Sequence, residues 1–249
     1  MKRRNLNFEI ECFKDINNHQ YIHPFYKSNQ GHLFLSGDRA SMIDYVLKNM
    51  IRDVVSRYYE HELKIIIYST SIEENSFLGL NKYLKVPIIK KPDELIEQLK
   101  KIKKKMMNRY KSFRQNKSRD IKTFNTKALN LEINHRYMPY ILLVIHEMPS
   151  SKEHFYNINS LVYDIVQQSR AAGIHVILST ILAKETMSPL LKYNMNGIIF
   201  RIESILNAKT LLEKRYEKIA NELKVSEVLV YENAGKNTVY NIGSLIKSL

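Results

Sequence analysis

The sequence predicts an α/β fold: a mainly parallel sheet with helices on both faces. Three observations carry that expectation. Apolar runs such as Ile65-Ile66-Ile67 and Tyr140-Ile141-Leu142-Leu143-Val144-Ile145 are short and unbroken, as in strands buried on both faces. Between them lie longer stretches with apolar residues three and four apart, the spacing of helices that bury one face. From residue 31 onward the two kinds alternate, as parallel strands with helical crossovers require.

Taken in order, residues 1–30 are polar and aromatic, with strands expected around Leu6–Phe13 and a loop through Pro24. They are expected to form an N-terminal extension packing on a core domain of residues 31–249, with no repeat or low-complexity linker between. Leu33–Ser36 reads as a short strand. Ala40 to Tyr58 reads as a helix, with apolar Ile43, Val46, Leu47, Met50, Ile51, Val54 and Val55 on one side. Leu63–Tyr68 is a β-branched strand, and Val86–Ile89 a shorter extended piece. Asp93 to Phe113 is a helix opened by Pro92, its stripe formed by Leu95, Leu99, Ile102, Met106, Tyr110 and Phe113.

Tyr140–Ile145 is the clearest buried strand. Ile158–Ala172 is predicted helical, with Gly173 stopping it in the C′ position. Ile174–Thr180 is a strand, Ala183–Tyr193 a helix, Gly197–Arg201 a strand and Ala208–Leu223 a helix. Val228–Tyr231 and Thr238–Ile242 are expected to pair antiparallel across the turn at Glu232–Asn237. Ligands of such sheets bind outside the carboxyl ends of the strands, and the turn at 36–44 lies at one of them.

No apolar run approaches the roughly 18 residues that a membrane-spanning helix needs. A polar, basic N-terminus without an apolar core predicts no signal peptide, and one cysteine, Cys12, permits no internal disulfide; both fit the cytoplasm. Cys12 reads as a small buried hydrophobe. The net charge is +14, and Lys100 to Lys127 hold twelve lysines or arginines against one acid, Asp120. Such a concentration points to a polyanionic partner.

Five segments, in order, resemble the motor domain of the FtsK/SpoIIIE family of DNA translocases. "SRAAGIHVILST", Ser169 to Thr180, is the most specific: a helix end leading directly into a core strand. "HLFLSG", His32 to Gly37, resembles the strand that enters the Walker A loop. "MNRYKSFRQNKSRDIKTFN", Met107 to Asn125, resembles the family segment with an Arg-Tyr pair and a later Asn. "PYILLVIHEM", Pro139 to Met148, stands at the Walker B strand, and "LLKYNMNGIIFRIES", Leu190 to Ser204, at the next helix–strand pair. The resemblance covers roughly residues 31 to 231 and implies a RecA-like P-loop fold, work on DNA in hexameric rings, and a bound magnesium nucleotide.

The motif residues depart from that pattern. A working P-loop reads G-x-x-x-x-G-K-[ST], so that backbone N–H groups and a lysine hold phosphates while a hydroxyl binds Mg²⁺. Here it is Gly37-Asp38-Arg39-Ala40-Ser41-Met42-Ile43-Asp44: the second glycine is Met42, the lysine is Ile43, and the Ser/Thr is Asp44. The Walker B strand ends in His146-Glu147 instead of Asp-Glu, leaving Glu147 as the one surviving water-orienting candidate. Past the fourth strand, the family's Thr-Gln-Arg-Pro becomes Thr180-Ile181-Leu182-Ala183, which leaves Thr180 as the sensor-like residue. Removing several transition-state clamps leaves negligible hydrolysis, so the expectation is a pseudo-ATPase with no cofactor, ATP and magnesium being the cofactors the resemblance would otherwise imply.

Each functional reading has a plainer one beside it. The turn at 37–44 reads as an ordinary strand–helix turn, capped by Asp38 or Ser41, or as a weak nucleotide site with charge from Arg39. His146-Glu147 with His154, and His19 with His23, lack metal spacing, so no metal is expected. The basic stretch reads as a solvated helix face. It also reads as a sequence-nonspecific phosphate track of Lys104, Lys105, Arg109, Lys111, Arg114, Lys117, Arg119 and Lys122.

The function expected is a non-hydrolysing FtsK-like module that binds DNA or docks on an active motor, self-associating in or capping a ring, for instance in mobile-element transfer or replication. Two alternatives stand beside it: a substrate-binding module of a type VII secretion ATPase, contacting a secreted or acidic protein, and an active ATP-dependent translocase with a rearranged site. Membrane association is expected only through a partner or an anionic surface.

Overall fold

The computed structural model describes residues 6–27, 31–38, 40–72, 79–149, 151–180, 194–232 and 235–243. A two-stranded antiparallel hairpin comes first, β1 (Ile10–Lys14) with β2 (Gln20–His23). The main sheet contains β3 (Leu33–Ser36), β4 (Leu63–Tyr68), β5 (Tyr140–His146), β6 (Ile174–Thr180), β7 (Asn196–Phe200), β8 (Glu227–Tyr231) and β9 (Asn237–Asn241). Their spatial order is β4-β5-β6-β3-β7-β8-β9. The first five run parallel; β8 and β9 close the far edge antiparallel, as the sequence predicts. This is the expected mainly parallel α/β fold.

Burial follows the apolar pattern. All seven residues of β5 are buried, and so are all four of β3. β3 has β6 on one edge and β7 on the other, with Leu33 opposite both Ile177 and Asn196. Helix α1 (Ala40–Arg57) buries Ile43, Val46, Leu47, Met50, Ile51 and Val54, and α2 (Pro92–Gln115) starts at the expected proline.

The hairpin is tied to α1 and the sheet by hydrogen bonds. Glu11 N–H donates to Asp53 Oδ2 at 2.9 Å, Tyr58 O–H to the Glu9 carbonyl at 3.0 Å, and Tyr140 O–H to the Leu6 carbonyl at 2.6 Å.

Several expectations are corrected. The α2 stripe buries Arg109, whose guanidinium donates to the carbonyls of Ala172 and Pro139, while Tyr110 stays half-buried with its O–H on the Gln168 carbonyl. α3 (Ile121–Leu129) is a helix inside the basic stretch, capped where the Asp120 carboxylate accepts from Thr123 N–H at 2.7 Å. α4 (Lys152–Gln168) begins six residues before the predicted start and ends before Ser169. Gly173 instead closes the following turn at φ 68°, donating to the Arg170 carbonyl at 2.9 Å.

The single helix expected at 208–223 is two, α5 (Ile205–Leu211) and α6 (Lys214–Glu222). Extended Leu212 and Glu213 break it, which lets the adjacent Leu211 and Leu212 both turn inward. Residues 83–89 run beside β4 through isolated bridges at Leu84 and Ile89 and form no regular strand. The helix predicted at Ala183–Tyr193 lies outside the described residues.

Two histidines lock the N-terminal end of the central sheet. His175 Nδ1 donates to the Gly31 carbonyl at 2.9 Å, and its ring stacks on Phe8. His32 Nδ1 accepts from Val176 N–H at 3.1 Å. Burial pulls His175 down to about 3, and burial, then His175, pulls His32 well below the usual histidine range. Both are neutral when folded, and both gain a proton near pH 6.5 when unfolded. Between those values the unfolded chain binds more protons, so stability is full above pH about 6.5 and falls as the pH drops toward 3. Each such histidine contributes a slope of about 1.4 kcal/mol per pH unit. Urea unfolding at pH 7.5, 6 and 5 is expected to show this loss, and His175→Gln to flatten it by about one proton's worth.

Candidate functional site

The turn after β3 is held by close packing. A Cβ on Gly37 would stand 2.6 Å from the Phe200 Cβ, so only glycine lets the end of β3 lie this close to the end of β7. Asp38 N–H donates to the Arg201 carbonyl at 3.1 Å, and its carboxylate accepts from Glu203 N–H. Asp38, expected as a helix cap, is spent on tying the turn to the segment after β7. Arg39 and the side chain of Ser41 lie outside the described residues.

α1 begins at Ala40, so positions 40–44 of the would-be phosphate loop are already helical. A P-loop cradles phosphates with free backbone N–H groups over a longer stretch. Ile43, in the lysine's place, is completely buried, and Met42 nearly so. Helical backbone and a buried Ile43 thus stand at these positions.

Asp44, in the place of the Mg²⁺-binding hydroxyl, faces His146 at the end of β5. His146 Nε2 lies 2.9 Å from Asp44 Oδ1. Among the described residues neither atom makes a hydrogen bond, and the contact holds through charge and dipole attraction. On its other side His146 Nδ1 is 2.6 Å from Ser179 Oγ on β6. A carboxylate favours a proton on the nitrogen facing it, which leaves Nδ1 to accept from the serine hydroxyl.

The connectivity Ser179–His146–Asp44 matches that of a hydrolase triad, but Ser179 and His146 are buried inside the sheet, where no substrate reaches the hydroxyl. The three side chains read as a polar plug. They suit a magnesium nucleotide poorly: Mg²⁺ takes oxygen ligands, an imidazole stands beside the one carboxylate that could supply them, and the Asp44 charge repels a triphosphate.

Glu147 follows with φ 63°, a left-handed conformation costly for a side chain with a Cβ, while its N–H donates to the Ser179 carbonyl at 3.0 Å. Burial, and secondarily the Glu147 charge, push the neighbouring Tyr68 phenol up. Thr180 ends β6 opposite Ser36; Ile181–Ala183 lie outside the described residues. His154 contacts Asp93 at 3.1 Å, and among the described residues no cluster of potential metal ligands forms.

The basic residues do not form one track. Lys104, Lys105 and Arg109 meet Lys85 and Lys101 along a groove of about 500 Å³ at the amino ends of β5 and β6. Arg119 and Lys122 sit instead at a second cavity, with Arg170, and Arg119 pairs with Asp120 at 3.2 Å. Lys111 and Arg114 are exposed on α2, and Lys117 lies in the turn after it. Lys85, Ser179 and the Asp44–His146 contact escaped sequence reading. The first lies outside the basic run, Ser179 meets His146 through the parallel register of β5 and β6, and Asp44 meets it from α1.

A family model described as the FtsK/SpoIIIE family matches residues 1–188. The chain is 25% identical over 220 residues to the DNA translocase FtsK of Staphylococcus aureus strain Mu50, covering 84% of this chain and 27% of that protein. Against the DNA translocase FtsK of Streptococcus pneumoniae it is 25% identical over 217 residues, 83% and 28% of the two chains. It thus spans about a quarter of the length of these relatives. The pCW3 conjugation coupling protein TcpA, solved as a monomer with ATPgS, superposes with a TM-score of 0.74 at 15% identity, covering 96% of this chain and 66% of that one. The cytoplasmic domain of the Thermomonospora curvata type VII secretion ATPase EccC gives 0.75 at 16%, covering 97% and 29%.

The plug is tested by a double-mutant cycle. Asp44→Ala and His146→Ala are each expected to destabilise the fold. The coupling between them, read from urea midpoints, is expected to be about 0.5–1 kcal/mol because Asp44 is partly solvated. Strict additivity would remove the contact as an energetic feature.

Proposed function

The chain belongs to the FtsK/SpoIIIE family, and from that premise we propose that it is a non-hydrolysing module of that family, working on DNA or against an active motor of the same kind. The single observation that carries this reading is the Asp44–His146 contact, a carboxylate against an imidazole where the family pattern has a hydroxyl and an acid. It is supported by buried Ile43 in place of the phosphate-gripping lysine and by the early start of α1. Restoring one motif residue would not restore the cradle, because the backbone that should form it is helical.

Glu147 can still face a water, but orienting water contributes little where nothing holds and neutralises the phosphate being attacked. The scaffold is retained in full, which favours a role resting on shape: docking, capping or joining a ring of related motors. The names of the relatives favour DNA as the context. Likeness to a secretion ATPase at 16% identity is a likeness of fold and favours no second reading.

Calorimetry with ATP is expected to show no magnesium-dependent binding. Phosphate release in the presence of double-stranded DNA is expected at background for both the wild type and Glu147→Gln. Magnesium-dependent ATP affinity, or a wild-type rate that Glu147→Gln abolishes, would overturn the reading.

A further inference from the structure

We propose that the groove along α2 binds a run of phosphate groups, at the end of the sheet opposite the Asp44–His146 plug. Its long wall is one helical face, on which Lys101, Lys104, Lys105, Asn108, Arg109 and Ser112 recur three and four residues apart. Lys85 and the strap from Tyr137 to Pro139 form the other wall. Among the described residues five cations and no acid line this space of about 500 Å³.

The acids of the region are used elsewhere. Lys100 pairs with Glu97 at 3.2 Å, and Lys103 with Asp164 at 2.6 Å, both off the groove. Among the described residues Lys85, Lys101, Lys104 and Lys105 make no ion pair. Arg109 is only 3% exposed and, among the described residues, has carbonyl partners and no carboxylate. Its guanidinium donates to the carbonyls of Ala172 and Pro139, each at 2.6 Å, and its Nε–H has no partner among the described residues.

A buried charge held by carbonyl dipoles alone is under-compensated. Burial pulls Arg109 to about 10, so it stays charged at neutral pH. Lys85 and Lys105 are pulled down by burial first, and then by Arg109 and other cations of the groove. An anion placed among them would relieve that repulsion and release condensed counterions.

The polar face from Lys101 to Ser112 runs about 16 Å along the helix, longer than a single phosphate. Asn108, Ser112 and Tyr137 add hydrogen-bonding groups, and the cations carry no base information. The shared chemistry is therefore the phosphate, in a nucleic-acid backbone or a free polyphosphate. The inference rests on the DNA reading only for its choice of probe.

Fluorescence anisotropy of a labelled DNA duplex at about 50 mM salt, with sodium tripolyphosphate as competitor and by calorimetry alone, separates the sources. Lys104→Gln/Lys105→Gln is expected to weaken binding at least tenfold and to lower the salt slope by about two. The control pair Lys111→Gln/Lys122→Gln removes the same charge outside the groove and is expected to change affinity less than twofold. Thermal unfolding confirms that all variants fold. Binding of duplex, or of tripolyphosphate alone, with this difference between pairs supports the groove and assigns its source. Equal losses in both pairs, or no binding of either probe, overturns it. The two proposals fail separately: magnesium-dependent ATP binding kept in Lys104→Gln/Lys105→Gln would reopen the nucleotide turn and leave the groove standing.

Discussion

β3 is hydrogen-bonded along both edges, to β6 and to β7, and this fixes everything that happens at its carboxyl end. A strand so held cannot shift register without moving its whole buried set of side chains to the wrong face. Its exit is therefore fixed in height and direction. Gly37 leaves against Phe200 with no room for a side chain, and α1 starts three residues later. That places Asp44 over the end of β5, where parallel pairing with β6 brings up His146 and Ser179 side by side. The plug follows from the register of three strands.

The identities of Asp44 and His146 make sense only together. In the family pattern position 146 is an Asp, and a carboxylate at 44 would then face another at close range. Two like charges a few ångströms apart in a partly desolvated crevice oppose each other unless one takes up a proton or a metal intervenes. An imidazole at 146 removes the repulsion and supplies a donor in the same space. The carboxylate and the imidazole thus share the crevice by side-chain chemistry alone.

The alternation of unbroken apolar runs with helical stripes made the sheet, its order of elements and its antiparallel edge legible in the sequence, because burial on two faces leaves a strong pattern. The place of the turn was legible too, since Gly37 follows a short apolar run directly and a helical stripe opens just after it. Other features depended on information that no local window holds. Arg109 looked like one more surface cation, and only the carbonyls of Ala172 and Pro139, distant in sequence, draw it inward. α3 was hidden by the charge around it, although Asp120 three residues before Thr123 is a capping signal. The break between α5 and α6 lies in a stretch whose apolar periodicity barely falters, and tertiary burial of Leu211 and Leu212 decides it.

Parallel strands give a sheet two chemically different ends, and here their charges run against the usual arrangement. At the carboxyl end the cation that would grip a phosphate has become buried Ile43, and Asp44 is a carboxylate. At the amino end, about 20 Å away along β5, five cations gather without an acid among them. Arg109 is the hinge of that second arrangement. By donating to carbonyls just before β5 and β6 it bolts α2 to the sheet, and the same bolt carries a charge into the groove. A site built on a 24-residue helix and the ends of two central strands is rigid before any ligand arrives, so little ordering cost opposes binding there. In the groove we propose, that rigidity suits a surface that holds a polyanion in place.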